Sequence, residues 1–216
     1  MLLLPVAVLG YMLYESLIGA QPIRSILGLE AHHMDHLLSY APVFFFIIYA
    51  ASLGRVVTAS VFSNCDIQML HYPYYRTREN IFASFRARIS KIRKFNFIIT
   101  SVMSVVTFFS VSLVFGYFNF VTFIFFFLLL VTIGELFAFN DLFLYYVIQP
   151  YDSKGQGKSI IYSIINFVVY VVAWVNFTTR FDFFTYFAVV VIGTLVYMGL
   201  GLVLLLMLAP RRFKLR

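Results

Sequence analysis

Apolar residues in this chain gather in six long stretches, at approximately 1–19, 38–62, 96–115, 118–139, 159–178 and 184–208. A helix crossing about 30 Å of hydrocarbon needs ~20 predominantly apolar residues, and each stretch is about that long. Backbone facing lipid has to satisfy its hydrogen bonds within the span, which leaves helices or a closed barrel. Barrel strands alternate with a period of two, and a run such as Phe123-Ile124-Phe125-Phe126-Phe127-Leu128-Leu129-Leu130-Val131 does not. The pattern predicts a single transmembrane domain over 1–216, all-α, with six transmembrane helices.

Composition supports the same class. Of 216 residues, 62% are apolar, 20% aromatic and 12% charged, with a mean hydropathy of +0.92. Twenty-seven Phe and fifteen Tyr are too much apolar surface for a soluble core of this size, so soluble enzyme classes are excluded. The single cysteine, Cys65, excludes a disulfide framework or a multi-cysteine metal site.

The net charge of +7 gains its meaning from position. With six spans, the loops after the first, third and fifth share one side and hold only Arg24 and Arg180. The other side carries Arg55, Arg76, Arg78, Arg86, Arg88, Lys91, Arg93 and Lys94, then Lys154 and Lys158, then Arg211, Arg212, Lys214 and Arg216. Fourteen basic residues against two put both termini and the two basic loops in the cytoplasm, by the positive-inside rule. Topology and anionic membrane lipid account for the charge, so no nucleic-acid partner is invoked. No basic residue precedes Arg24 and no small-residue cleavage site follows the first apolar stretch, so that stretch is expected to be a retained span and not a signal peptide.

The largest polar segment, 64–95, lies between the second and third spans. From Ile81 onward, Ile81, Phe82, Phe85, Ile89 and Ile92 fall within about 100° of a helical wheel, with Arg86, Lys91, Arg93 and Lys94 over much of the rest. This predicts an amphipathic cytoplasmic helix, either lying at the headgroups or docking on a soluble partner. Ahead of it, Pro73 disfavours helix at Tyr72, so a short helix ends near Met69-Leu70-His71 and a corner carrying Tyr72, Tyr74, Tyr75 and Arg76 follows. Tyr and Arg are enriched at interface hot spots, although Tyr is also common at headgroup depth.

The run Asn64-Cys65-Asp66, Met69-Leu70, Tyr72-Pro73-Tyr74-Tyr75-Arg76, followed by the basic amphipathic stretch and Asn96, resembles the cytoplasmic segment of bacterial ABC-type exporter permeases. Leu144-Tyr145-Tyr146-Val147-Ile148-Gln149-Pro150-Tyr151, a polar turn and Ser159 to Asn166 are similar to another segment of those proteins. With the span pattern, the resemblance covers most of the chain, through motifs of moderate specificity. It implies a transmembrane permease subunit with no catalysis and no cofactor of its own. ATP and Mg²⁺ would sit in a separate cytoplasmic ATPase subunit, and a second permease copy or half would complete the path. It also implies that Asp66, Tyr72, Tyr74, Tyr75, Arg76, Phe82 and Phe85 belong to the ATPase-coupling segment, and that the cargo is a hydrophobic or amphipathic peptide or lipid. Permeases of this type usually carry a lead-in helix before the first span, so the chain reads as a fragment or a reduced form.

Other patterns carry less. Gly155-Gln156-Gly157-Lys158-Ser159 ends like a phosphate-binding loop, but Asp152 stands where the first glycine belongs and a membrane helix precedes it, so nucleotide binding is rejected. His32 and His36 are one helical turn apart and, with His33, leave metal binding open, without the glutamate of a zinc-peptidase motif. Polar residues in or near the spans are Glu15, Glu135, Asn140 and Asp141, with Asn166 and Asn176. Counting inward from Phe118 puts Glu135 near the inner boundary and Asp141 beyond it, as structural or interfacial groups and not a proton path. Trp174 reads as an outer-interface anchor. Gly193, Gly199 and Gly201 offer close helix approach without a clean Gly-x-x-x-Gly. The rival readings are a non-transporting accessory or assembly subunit, and an intramembrane enzyme using the His cluster with Glu30 and Asp35.

Overall fold

A computed structural model describes residues 38, 40–52, 54–69, 72, 74, 77–115, 119–151, 159–179 and 181–212. The first apolar stretch, Glu15, the His32/His33/His36 cluster, Tyr75, Arg76 and the loop 152–158 lie outside the described residues. Those described are helical, with no strand among them. We number the helices α1 (Val43–Ala51), α2 (Gly54–Val61), α3 (Arg78–Phe115), α4 (Phe120–Ile148), α5 (Ile160–Thr178) and α6 (Phe183–Arg212). Five helical segments are long and apolar enough to cross a membrane: Val43–Asp66, Arg78–Ser110, Phe120–Ile148, Ile160–Thr178 and Phe183–Ala209. This is the architecture of a multi-pass helical membrane protein.

The helix starts are written locally. Asn119 accepts from the backbone N–H groups of Val121 (2.9 Å) and Thr122 (3.4 Å) at the head of α4. Ser159 accepts from Tyr162 N–H (3.3 Å) at the head of α5. Asp182 accepts from the N–H and hydroxyl of Thr185, both at 2.9 Å, at the head of α6. Each side chain satisfies a donor that has no partner inside its helix. The Thr185 N–H, and then its hydroxyl, hold the Asp182 carboxyl below its ordinary range. At its other end α4 stops at Gln149, in the left-handed region (φ 46°), immediately before Pro150.

α4 is the axis of the bundle. It packs along α3 and α6, while α1 lies against α5 and α4. One apolar core joins α1, α3, α4, α5 and α6 through Phe44, Phe108, Phe126, Ala173 and Tyr186; a second joins Phe62, Phe85, Phe139, Tyr145, Tyr146 and Leu205. Aromatic rings meet edge-on within them, as for Phe44 and Phe126 (5.3 Å between centroids) and Phe85 and Tyr146 (5.8 Å).

Two features depart from the simplest reading of the sequence. The apolar stretch 38–62 is not one straight helix: α1 ends at Ser52, whose ψ of 124° leaves the helical region, and α2 restarts at Gly54. Ser and Gly hold a helix weakly and are frequent at such breaks. In addition, the amphipathic stretch from Ile81 and the third apolar stretch form one uninterrupted helix, α3, of 38 residues. At 1.5 Å per residue it is about 57 Å long, nearly twice the hydrocarbon thickness of about 30 Å. The basic stretch therefore continues the axis of an apolar segment.

Candidate functional site: a buried junction at the basic end

After Val61 the backbone widens into a π-helical turn, Phe62–Asp66, and closes with Ile67–Met69. The wider turn carries Phe62 and Asp66 inward, where both are buried; such turns recur at functional sites. The Asp66 carboxylate is met by a bidentate guanidinium. Arg88 donates from Nη1 to Oδ2 (2.7 Å) and from Nη2 to Oδ1 (2.5 Å). The Tyr145 hydroxyl also donates to Oδ2. Arg88 Nη1 donates to the Tyr146 hydroxyl (2.8 Å), and the guanidinium lies 5.6 Å from the centre of that ring.

Three chain segments thus converge on one ion pair with a buried carboxylate: the π-helical turn after α2, the third turn of α3 and the last turn of α4. Desolvating two charges is costly, and only geometry of this kind offsets it: two parallel N–H···O bonds with further donors on the remaining lone pairs. Phe85 packs on Tyr146 and Phe139, and Phe62 on Tyr145 and Tyr151, so aromatic rings flank the pair, with Asp66 buried and Arg88 partly buried.

The coupling residues expected from the sequence divide into two groups. Asp66 and Phe85 are buried in this junction. Tyr72 and Tyr74 stand out from the surface, 64% and 70% exposed, and Phe82 is 40% exposed. Arg88, Tyr145 and Tyr146 were not singled out from the sequence, yet they complete the junction. Arg88 carried a signal: at 100° per residue it falls about 20° from Ile81, at the edge of the apolar arc of its helix. A charge there marks a buried partner.

The polar groups nearer the middle of α4 each hold a different helix. Glu135 forms an ion pair with Arg93 on α3. Asn96 Nδ2 donates to the Gly134 carbonyl (3.0 Å), and a Cβ at Gly134 would fall 2.8 Å from the Thr100 methyl, so α3 and α4 approach closely here. The Tyr197 hydroxyl on α6 donates to Asn140 Oδ1 (2.8 Å). Asp141, which residue counting puts past the inner boundary, accepts from Ser52 Oγ (3.0 Å) at the break in the middle of the 38–62 stretch. α4 is about 44 Å long at 1.5 Å per residue, so counting from one end does not locate the membrane edge on it. Across the bundle, Phe45, Phe137, Asn140, Ile165, Val169 and Tyr197 line a pocket of about 370 Å³ between α1, α4, α5 and α6. Its wall is apolar, with the Asn140–Tyr197 hydrogen bond as its polar point. No group of three or more metal-ligating side chains occurs among the described residues.

Comparison with protein-family models, with curated proteins and with solved structures gave no match.

Proposed function

We propose that the chain is the transmembrane permease subunit of an ABC-type exporter in a bacterial plasma membrane, with both termini cytoplasmic and with a second permease copy or half as its neighbour. ATP hydrolysis belongs to a separate cytoplasmic subunit. The observation that carries the reading is the Asp66–Arg88–Tyr145–Tyr146 junction. It ties the segment after span two to α3 and α4, while Tyr72 and Tyr74 are left exposed beyond it. A corner in the chain between the two halves of a junction that holds two long helices suits a lever. ATP binding in the partner would shift the population between two packings of the spans, and the break at Ser52–Gly54 offers a joint at which α1 can move against α2. The apolar pocket with one polar point suits a hydrophobic or amphipathic cargo, peptide or lipid-like.

The test is affinity purification from native membranes of the wild-type chain and of a Tyr74→Ala/Arg76→Ala variant, with measurement of vanadate-sensitive ATP hydrolysis in each preparation and of its stimulation by added amphipathic peptide. The reading predicts hydrolysis that co-purifies with the wild type and is lost or unstimulated in the variant, at equal membrane insertion. Hydrolysis that co-purifies but never responds to cargo would point to an accessory subunit. Equal behaviour of the two chains would reject the corner as the contact.

A further inference from the structure

The outward face of α3 changes character within one turn. Arg86, Ser90, Lys91 and Lys94 are exposed, and above them Phe97, Ile98, Val102 and Val105 are exposed. At that change lies an open pocket of about 270 Å³ lined by Ser90, Arg93, Lys94, Phe97 and Glu135. Glu135 engages Arg93 through Nε, which fixes the guanidinium on α4 with its two terminal nitrogens unpaired among the described residues. Glu135 and Arg93 cancel in charge, so Lys94 gives the pocket its net positive charge.

The opposite flank differs toward the basic end. Ile165 on α5 faces Phe137 and Asn140 in the apolar pocket, and Ile160, Ile161 and Ile164, farther toward the basic end, are exposed apolar residues. From Glu135 to Asn140, and from Ile165 to Ile160, are five residues each, together roughly 15 Å along the bundle at 1.5 Å per residue. Below the pocket, toward the basic end, the two flanks therefore differ: α3 presents Lys94, Lys91 and Arg86, whereas α5 presents apolar side chains.

We infer that this pocket binds the phosphate headgroup of an anionic phospholipid, with an acyl chain lying on the apolar face of α3 above it. Charge complementarity selects the headgroup: a phosphodiester accepts from the Arg93 fork, the Lys94 ammonium and the Ser90 hydroxyl. The apolar continuation through Phe97, Ile98 and Val102 selects a lipid over a free anion. Basic pockets between helices at the membrane edge have this use. The inference depends on membrane insertion alone and is independent of the transport reading.

The test is native mass spectrometry of the full chain in detergent micelles with phosphatidylglycerol, phosphatidylcholine or inorganic phosphate added. Lys94→Gln is the main variant, because Lys94 is exposed and without an ion-pair partner among the described residues, and Lys91→Gln is its neighbour outside the pocket. The wild type should retain phosphatidylglycerol over phosphatidylcholine. Lys94→Gln should weaken retention about fivefold, as expected for one cation near an anionic headgroup, and Lys91→Gln should leave it unchanged. Equal loss in both variants would mean diffuse attraction and overturn the site. Equal retention of phosphatidylcholine would overturn the headgroup assignment. Displacement by inorganic phosphate would overturn the lipid, and a second copy of the chain cross-linked through Lys94 would overturn it in favour of a protein contact.

Discussion

From Phe137 to Val147 every side chain of α4 is buried, whereas in α5 only Ala173 is, and Ile161, Phe167, Val171 and Trp174 are exposed along its length. Both segments are apolar enough to cross a membrane, so hydrophobicity does not separate a helix facing protein from one facing lipid. The polar residues do. The buried part of α4 carries Asn140, Asp141, Tyr145 and Tyr146, and each reaches a partner on another element. In α5, Asn166 and Asn176 donate back to the Tyr162 and Val172 carbonyls of their own helix, and Asn176 adds a single link to Tyr186 (3.0 Å). In hydrocarbon, apolar contact between helices gains little over contact with lipid, so packing fit and interhelical hydrogen bonds decide which helix lies inside.

The comparison breaks most sharply at Arg88. Arg88→Leu leaves the Asp66 carboxylate buried without its cation and should cost about 3–5 kcal/mol. Phe167→Ala, on the exposed side of α5, should stay within about 0.5 kcal/mol. Unfolding in mixed detergent micelles measures both, and comparable losses would undo the distinction between the two helices.

A smaller effect is expected where α4 meets the break in the second span. A Cβ at Gly54 would fall 2.6 Å from the Asp141 Cβ, so Gly54→Ala should destabilise by about 1–3 kcal/mol through overpacking. Gly199 has nothing within 4 Å, and Gly199→Ala should be neutral or slightly stabilising through helix propensity. The same unfolding assay should reverse neither order; a harmless Gly54→Ala would mean that the joint is loose.

The helical class was legible because the long apolar runs lack the period-two alternation of barrel strands. The break at Ser52–Gly54 was not, since a span tolerates both residues and the hydropathy reads straight through them. Arg88 was missed, although its angle on the α3 wheel, at the edge of the arc of Ile81, Phe85 and Ile92, was a signal. Tyr145 and Tyr146 gave no such signal, because aromatic residues near a helix end read equally well as an interfacial belt. The bond between Asp141 and Ser52 was not legible either, since it needs the packing of α4 on the break in the 38–62 stretch. The pairing of Glu135 with Arg93 needed the register of α3 against α4, which no single-helix pattern contains.

The central claim is that the Asp66 junction faces the cytoplasm, where a soluble partner can reach the corner beyond it. Cys65 tests this without any substitution: it is the chain's sole cysteine, it is exposed, and it immediately precedes Asp66. Sealed membrane vesicles of right-side-out and inverted orientation, treated with a membrane-impermeant maleimide, report its side directly. The account predicts modification in inverted vesicles and protection in right-side-out ones. Modification from the outer face would contradict it.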